Sequence, residues 1–256
     1  MTIESAGTPP APPVAAVPTK NFFERLVGVF FSPTETFDDI ARKPDILWPL
    51  VLIVAIGYIT TFVTMPRLDF DAAFAKQAEM MKKKNPNMSD ADIERIGRFG
   101  RATMTVTRYI GPAVAVAFYA IIALVLWGAV RLMGGQGGYL QSFSATLYAW
   151  MPMVLFSIIM TIIIVARGSV DPTEMATVVK SNPAFLVDIN EQPVLASLLG
   201  SFDIFTIWTL VLLIIGFTPL SKLSRAKVAA IVLTLWAAMI VVKLGFAAIG
   251  AAQMKG

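Results

Sequence analysis

Cysteine and histidine are both absent from the 256 residues of this sequence. Without them the protein cannot form disulfide bonds, thiolate nucleophiles, imidazole bases or the usual zinc sites. These absences exclude most protease, zinc and redox chemistries. We therefore predict a non-enzymatic protein that has no catalytic residues, no metal ligands and no cofactor.

Charged residues are also scarce, at 15% of the sequence, whereas about 25% is usual for a soluble domain. Hydrophobic residues make up 56%, and the mean hydropathy is +0.70. This balance predicts an integral membrane protein whose main partner is the lipid bilayer. The net charge of +4 suits contact with anionic lipids, but we attribute it mainly to orientation in the membrane.

Two long uncharged runs occupy the centre of the sequence, at residues 109–130 and 132–166. As a helix the first run is about 33 Å long, which is enough to cross the hydrocarbon core of a bilayer. The second run is too short for two spans and a turn, so it predicts one helix. With three further apolar segments, the sequence predicts an all-α polytopic membrane bundle of five transmembrane helices. The predicted spans are residues 47–65, 109–132, 140–166, 194–218 and 227–250, within a membrane domain of residues 47–253.

A glycine cluster lies between the second and third predicted spans, at Gly134, Gly135, Gly137 and Gly138. Because glycine readily adopts the positive φ of a tight reversal, the cluster predicts the turn between these spans. It lacks the Lys-Ser/Thr pair of a phosphate-binding loop, so no phosphate site is expected there. Pro152 lies near the middle of the third span, where it removes a backbone hydrogen bond and predicts a kink.

The N-terminal region divides into a tail and a pair of helices. Residues 1–20 are rich in alanine and proline and predict a disordered tail. Residues 21–46 predict interfacial amphipathic helices, because apolar side chains recur there at helical spacing. Ser32, Pro33 and Glu35 predict a capping box at the start of the second helix. These helices either form a platform for a protein partner or cover the cytoplasmic edge of the bundle, and the sequence favours the second interpretation.

Residues 67–108 form a long polar segment between the first two spans, which we predict to be helical and outside the membrane. The short connection at residues 218–226 carries Lys222 and Arg225, which favours a cytoplasmic location for it. The N-terminus would then be cytoplasmic and the C-terminus external. The nine lysines and arginines of residues 67–108 argue against this orientation, so the charge rule gives conflicting signals.

Asp203 and Lys243 are the ionisable residues inside the predicted spans. A charge at mid-membrane costs about 2.5–3.5 kcal/mol on insertion scales, so intramembrane charges are functional candidates. Each residue lies 20 positions from Leu223 at the centre of the last reversal, so antiparallel helices would hold both at one depth. We predict that they form an ion pair or share a small polar pocket toward the external side. Separate snorkelling to the interface and a transport role are the alternatives.

Three stretches of the sequence form a recognisable set: residues 30–44; residues 134–138 with Ser142, Phe143, Tyr148, Ala149 and Pro152; and Asp203 with Trp208, Gly216, Leu223 and Ser224. Together they resemble the Yip family, named for Ypt/Rab-interacting proteins, in its bacterial form. The resemblance covers most of residues 22–250 and implies five spans, a cytoplasmic N-terminus and a multi-pass protein of the cell (inner) membrane. Eukaryotic relatives work in membrane traffic with prenylated Rab GTPases, and the long charged segment at residues 67–108 departs from their compact pattern. The family has no defined active site.

The sequence supports two hypotheses of function. The first is a membrane scaffold or adaptor that organises protein or lipid partners through the helices of residues 21–46. The alternative is a small transporter or channel subunit with Asp203 and Lys243 in a polar intramembrane site. No nucleic-acid partner is expected. Small residues in the last span favour packing within the bundle and leave a homo-oligomer as an open alternative.

Overall fold

The computed structural model describes residues 19–172, 175, 178–188 and 191–255, so residues 1–18 of the predicted tail lie outside the described residues. The described residues form ten α-helices, with short 3-10 turns at Met65–Arg67 and Pro183–Leu186. The α-helices are α1 (Phe22–Phe31), α2 (Pro33–Arg42), α3 (Leu47–Thr64), α4 (Phe70–Lys84), α5 (Asp90–Leu132), α6 (Tyr139–Ala149), α7 (Met151–Arg167), α8 (Pro193–Leu199), α9 (Ile204–Ser221) and α10 (Arg225–Lys255).

Five helical segments of the described chain are long and apolar enough to cross a membrane. The third of them consists of α6 and α7 together, and the others belong to α3, α5, α9 and α10. This confirms the predicted all-α bundle of five spans. The five segments are Leu47–Arg67, Asp90–Leu132, Tyr139–Arg167, Ile204–Ser221 and Arg225–Ala252.

The connections between the spans collect at two opposite ends of the bundle. At one end, Gln136 N–H donates to Ser221 O over 2.8 Å, which joins the glycine turn to the end of α9. At the other end, which we call the distal end, Val170 N–H donates to Arg67 O over 2.9 Å. Since the spans alternate in direction and are odd in number, α1 and the end of α10 lie at opposite ends.

Helix α9 lies at the centre of the bundle and contacts α2, α6, α7 and α10. Its apolar residues pack with those of α2 and α6 into one core near the end that carries α1. In lipid, close van der Waals contact rather than the hydrophobic effect holds helices together, so this tight packing stabilises the bundle. The buried residues of α9 are Thr209, Leu212, Leu213, Gly216, Phe217, Leu220 and Ser221.

Residues 67–108 are largely helical, as α4 and the first half of α5. Helix α5 continues without a break from Asp90 to Leu132, a length of about 64 Å, so its first half extends beyond the bilayer. Helix α4 packs beside it. The Phe74 ring of α4 lies so close to Gly100 of α5 that a Cβ on this glycine would be 2.6 Å from Cε1 of the ring. Ser89 caps α5 by accepting a hydrogen bond from Asp92 N–H over 3.2 Å.

The fourth span differs from the predicted single helix of residues 194–218. Helix α8 ends at Leu199, and α9 begins only at Ile204, after a connection in which Ser201 N–H bonds to Leu198 O over 3.0 Å. The prediction failed because both helices are apolar, and hydropathy does not register a short break between them. The third span is also interrupted, at Trp150, two residues before Pro152, which occupies the first turn of α7.

Candidate functional site

The N-terminal helices form the first candidate site, which we call the platform (residues 21–46). Helix α1 begins with a capping box: Asn21 Oδ1 accepts from Glu24 N–H over 3.0 Å, and Glu24 Oε2 accepts from Asn21 N–H over 2.7 Å. The sequence carried this signal as an asparagine followed three residues later by a glutamate, and our sequence analysis missed it. The box fixes where the platform starts.

The capping box predicted at Ser32 and Glu35 is not formed. Ser32 does precede Pro33 at the start of α2, but its side chain makes no capping hydrogen bond. The reason is that Ser32 also ends α1, where its N–H donates to Gly28 O over 2.8 Å and holds its backbone at φ −142° and ψ 60°. Glu35 instead faces Lys20 over 3.8 Å.

A buried ion pair joins α1 to α2. Arg25 Nε and Nη2 each lie 2.8 Å from Asp39 Oδ2, and the two side chains are 3% and 1% exposed. Arg25 Nη2 also donates to Lys43 O over 2.9 Å, and Lys20 N–H donates to Asp39 Oδ2 over 3.2 Å. Because a buried charge needs both a counter-ion and hydrogen bonds, this network ties α1, α2 and the start of the α2–α3 connection into one unit.

The platform is also fixed to the membrane-spanning helices. Asp45 O accepts from Ser144 Oγ over 2.7 Å, and Asp45 Oδ2 accepts from the Tyr148 hydroxyl over 3.2 Å. Gln141 Nε2 donates to Ala41 O over 2.8 Å. Phe37 of α2 is fully buried between the helices. The second helix of the platform is therefore part of the bundle core and does not merely lie on its edge.

The glycine turn lies beside the platform and docks onto the end of α9. Gly134 and Gly137 adopt φ of +80° and +92°, as the sequence predicted for this reversal. A Cβ on Gly137 would lie 2.8 Å from Leu220 O, so only glycine allows the turn to approach α9 so closely. Trp127 Nε1 donates to Gly137 O over 3.3 Å and closes the turn from the side of α5.

An apolar stripe on α1 faces away from the bundle. Phe23, Val27 and Phe31 occupy successive turns and are 73%, 57% and 84% exposed. The adjacent stripe of α1, about 100° around the helix, contributes Phe22, Leu26 and Phe30 to the core. Helix α1 thus has two adjacent apolar stripes, and among the described residues only the stripe of Phe22, Leu26 and Phe30 is packed against other helices.

The second candidate site is a pocket at the distal end, which we call the distal pocket, with a volume of about 280 Å³. It lies where α8, the start of α9 and α10 meet, beside the 3-10 turn at Pro183–Leu186. Both Asp203 and Lys243 line it. Its other lining residues are Met153, Phe156, Asn182, Ala184, Ala196, Ser197, Gly200 and Thr206.

Asp203 precedes α9 and caps it, whereas we had placed this residue inside the span. Its Oδ1 accepts from the N–H groups of Phe205 and Thr206 over 2.9 and 3.2 Å. Its Oδ2 accepts from the hydroxyl of Ser181. An aspartate directly before an apolar run is a common N-cap signal, so the sequence could have shown this role.

Lys243 lies in α10 and does not form the direct ion pair that we considered. Its Nζ donates to Ser201 Oγ over 3.2 Å, and in the described part of the chain no carboxylate lies within salt-bridge distance of it. The structure thus brings Asp203 and Lys243 to one pocket but gives them different partners.

Because the two charges have separate partners, we expect their contributions to stability to be independent. Asp203→Ala removes the cap of α9 and should lower the free energy of unfolding by about 1–2 kcal/mol. Lys243→Met in the same protein should not restore the loss, and the two effects should add within about 0.5 kcal/mol. Unfolding in mixed detergent micelles, followed by circular dichroism, measures both.

The control for this prediction is Asp203→Asn, which keeps a capping oxygen and removes the charge. We expect its loss to be clearly smaller than that of Asp203→Ala, because asparagine is an equally good N-cap. If Lys243→Met instead rescued Asp203→Asn, the two residues would interact as a charge pair.

The architecture of two N-terminal helices followed by five spans can be compared with known protein families. The model of the Yip1 domain matches residues 27–246, from within α1 to within α10. The chain belongs to the Yip1 domain family. The matched region of this Yip1 domain protein includes α2, the glycine turn, the first four spans and most of the fifth, whereas Arg25 lies just before it.

A bacterial relative supports this assignment. Membrane protein YknW of Bacillus subtilis (strain 168) is 26% identical over 205 residues, which cover 78% of this chain and 80% of that protein. No solved structure matches the chain significantly. The Yip1 domain protein described here is accordingly a multi-pass membrane protein with the bilayer as its immediate surroundings.

Proposed function

We propose that this Yip1 domain protein is a non-enzymatic membrane scaffold or adaptor, and that the platform binds a membrane-protein partner. The observation that carries the proposal is the apolar stripe of Phe23, Val27 and Phe31, which no other part of the described chain covers. Apolar side chains at three successive turns are the arrangement by which one helix recognises another apolar surface.

The rigidity of the platform supports a role in binding. The Arg25–Asp39 pair and the contacts of Asp45 hold α1 in one position relative to the bundle. A surface that is already ordered loses little conformational entropy when a partner binds. In this proposal the partner is a helix or an apolar surface at the same membrane depth as α1.

The proposal places the platform on the cytoplasmic side. Arg42 and Lys43 of the platform lie at the same end of the bundle as Lys222 and Arg225, in short connections whose positive charge favours the cytoplasm. The C-terminus of this five-span protein would then be external. The partner is accordingly expected to be accessible from the cytoplasmic face.

The test replaces the stripe by alanine, as Phe23→Ala, Val27→Ala and Phe31→Ala together. A photocrosslinking residue in place of Phe23, with Val27 and Phe31 kept, should capture a protein in intact membranes. Co-purification of that protein with the triple variant should fall about tenfold or more, because apolar anchors dominate interface energies.

A matched control changes the same kinds of residue on a surface that faces lipid in α5. Val114→Ala, Phe118→Ala and Ile121→Ala alter a stripe of similar exposure and spacing. Co-purification should stay within about twofold of the wild-type protein. Equal losses in the two triple variants, or crosslinks to lipid alone, would contradict the proposal.

A further inference from the structure

The distal pocket contains a positive charge, that of Lys243, which forms no ion pair with any residue that the structure describes. The ammonium of Lys243 carries three donors, and Ser201 Oγ is its only hydrogen-bond partner among the described residues. Ser201 is buried, and its own hydroxyl donates to Ser197 O over 2.9 Å, so it accepts from Lys243 without supplying a negative charge. An unpaired cation beside apolar helices is costly, which suggests that an anion from outside the chain completes the site.

The carboxylate in the pocket is already occupied. Asp203 accepts two backbone N–H groups and one hydroxyl, and it is buried. A carboxylate that caps a helix in this way has little remaining capacity to serve as the counter-ion of Lys243. These donors stabilise the charge of Asp203 within the protein, so Lys243 is the charged group of the distal pocket that still has hydrogen-bond donors for a ligand.

The depth of Lys243 indicates where the anion comes from. Along α10 it lies 18 residues after Arg225, or about 27 Å, which is close to the full thickness of the hydrocarbon core. Its ammonium therefore lies near the phosphate level of the leaflet at the distal end. The neighbouring Val242 and Phe246 are exposed on the surface of α10, where acyl chains would contact them.

The remaining polar groups of the pocket suggest the chemistry of the headgroup. Ser197, Thr206 and Asn182 also line the pocket, and the described part of the chain provides no hydrogen-bond partner for the two hydroxyls or the Asn182 amide nitrogen. Met153 and Phe156 add an apolar wall on the side of α7. These groups can bind the hydroxyls of a polyol beside a phosphate, with hydrocarbon along the wall.

We propose that the distal pocket binds the phosphate of an anionic phospholipid with a polyol headgroup, of the phosphatidylglycerol type, from the leaflet at the distal end. Lys243 binds the phosphate oxygens, and Asn182, Ser197 and Thr206 bind the headgroup hydroxyls. This site is separate from the platform and does not depend on its function.

The test is native mass spectrometry of the full-length protein in detergent, titrated with phosphatidylglycerol or with phosphatidylcholine of the same acyl chains. We expect one phosphatidylglycerol to bind, about tenfold or more tightly than phosphatidylcholine. Lys243→Met should weaken that binding by about tenfold or more, and Lys243→Arg should keep it within about threefold. Circular dichroism establishes that each variant is folded, and Lys243→Gln replaces Lys243→Met if the latter is not.

Two comparisons make the result decisive. Lys227→Met removes a lysine from the other end of the same helix and should leave phosphatidylglycerol binding unchanged. Inorganic phosphate in large excess should not displace the lipid, because it lacks the headgroup hydroxyls and the acyl chains. Displacement by inorganic phosphate would mean that the pocket binds a soluble anion. Equal phosphatidylglycerol binding by the wild-type protein and the Lys243→Met variant would mean that Lys243 binds no lipid. Either outcome overturns the proposal.

Discussion

Arg25→Met is expected to destabilise this Yip1 domain protein by about 3–5 kcal/mol, because it leaves the buried carboxylate of Asp39 without its counter-ion. Methionine fills a similar volume, so the loss reflects charge and hydrogen bonding more than packing. The nearest remaining cation is Arg42, whose Nη2 lies 3.6 Å from Asp39 Oδ1 and whose side chain is half exposed. Detergent-induced unfolding, followed by circular dichroism, measures the change.

A double variant distinguishes the loss of the ion pair from the cost of leaving one buried charge without a partner. Arg25→Met combined with Asp39→Leu removes both charges and should recover much of the lost stability, since an apolar replacement of a buried pair is often neutral. The matched control is Arg95→Met, which breaks an exposed pair with Asp92 at 3.4 Å and should cost less than about 1 kcal/mol. Equal losses for Arg25→Met and Arg95→Met would show that the buried pair does not hold the platform.

The five spans could be predicted because each is a long apolar run, and lipid requires such runs to be helical. The glycine turn could be predicted for a similar reason, since a tight reversal needs positive φ at Gly134 and Gly137. The spans and the glycine turn are each determined by a short, continuous stretch of sequence. They do not depend on which helices become neighbours.

The start of the fourth span could not be read from hydropathy, because α8 and α9 are both apolar. The deciding signal was Asp203, which we assigned to the membrane interior because it lies within the apolar run of the predicted fourth span. Its position directly before an apolar run favours a helix cap, and a cap satisfies the carboxylate without a lysine. Lys243 therefore shares a pocket with Asp203, which was one of the two predicted arrangements, but bonds to Ser201.

The fixed position of the platform depends on contacts between distant parts of the chain. Arg25 and Asp39 lie on separate helices, and each could equally have faced water at a membrane surface. Phe37 belongs to α2, whose amphipathic pattern predicted an interfacial helix, yet it is buried against α9. Helical periodicity identifies an apolar face but does not identify the surface that covers it.

Gly216→Leu should test that contact, and we expect it to destabilise the protein by about 3 kcal/mol. A Cβ on Gly216 would lie 2.7 and 2.8 Å from Cδ1 and Cε1 of Phe37, closer than carbon atoms can approach. The ring is fully buried and cannot rotate into free space. The added side chain must therefore push α2 away from α9, and the unfolding assay described for Arg25→Met measures the cost.

Gly245→Leu in α10 is the matched control, because a Cβ there would meet no atom within 4 Å. It makes the same change in another membrane-spanning helix and should alter stability by less than about 0.5 kcal/mol. Phe37→Ala should by itself cost about 3–5 kcal/mol, since it leaves a cavity. In the double variant the leucine at position 216 can fill that cavity, so the combined loss should be smaller than the sum. Strictly additive losses would mean that α2 does not pack on α9 through these two residues, and that the other contacts of the platform hold it in place.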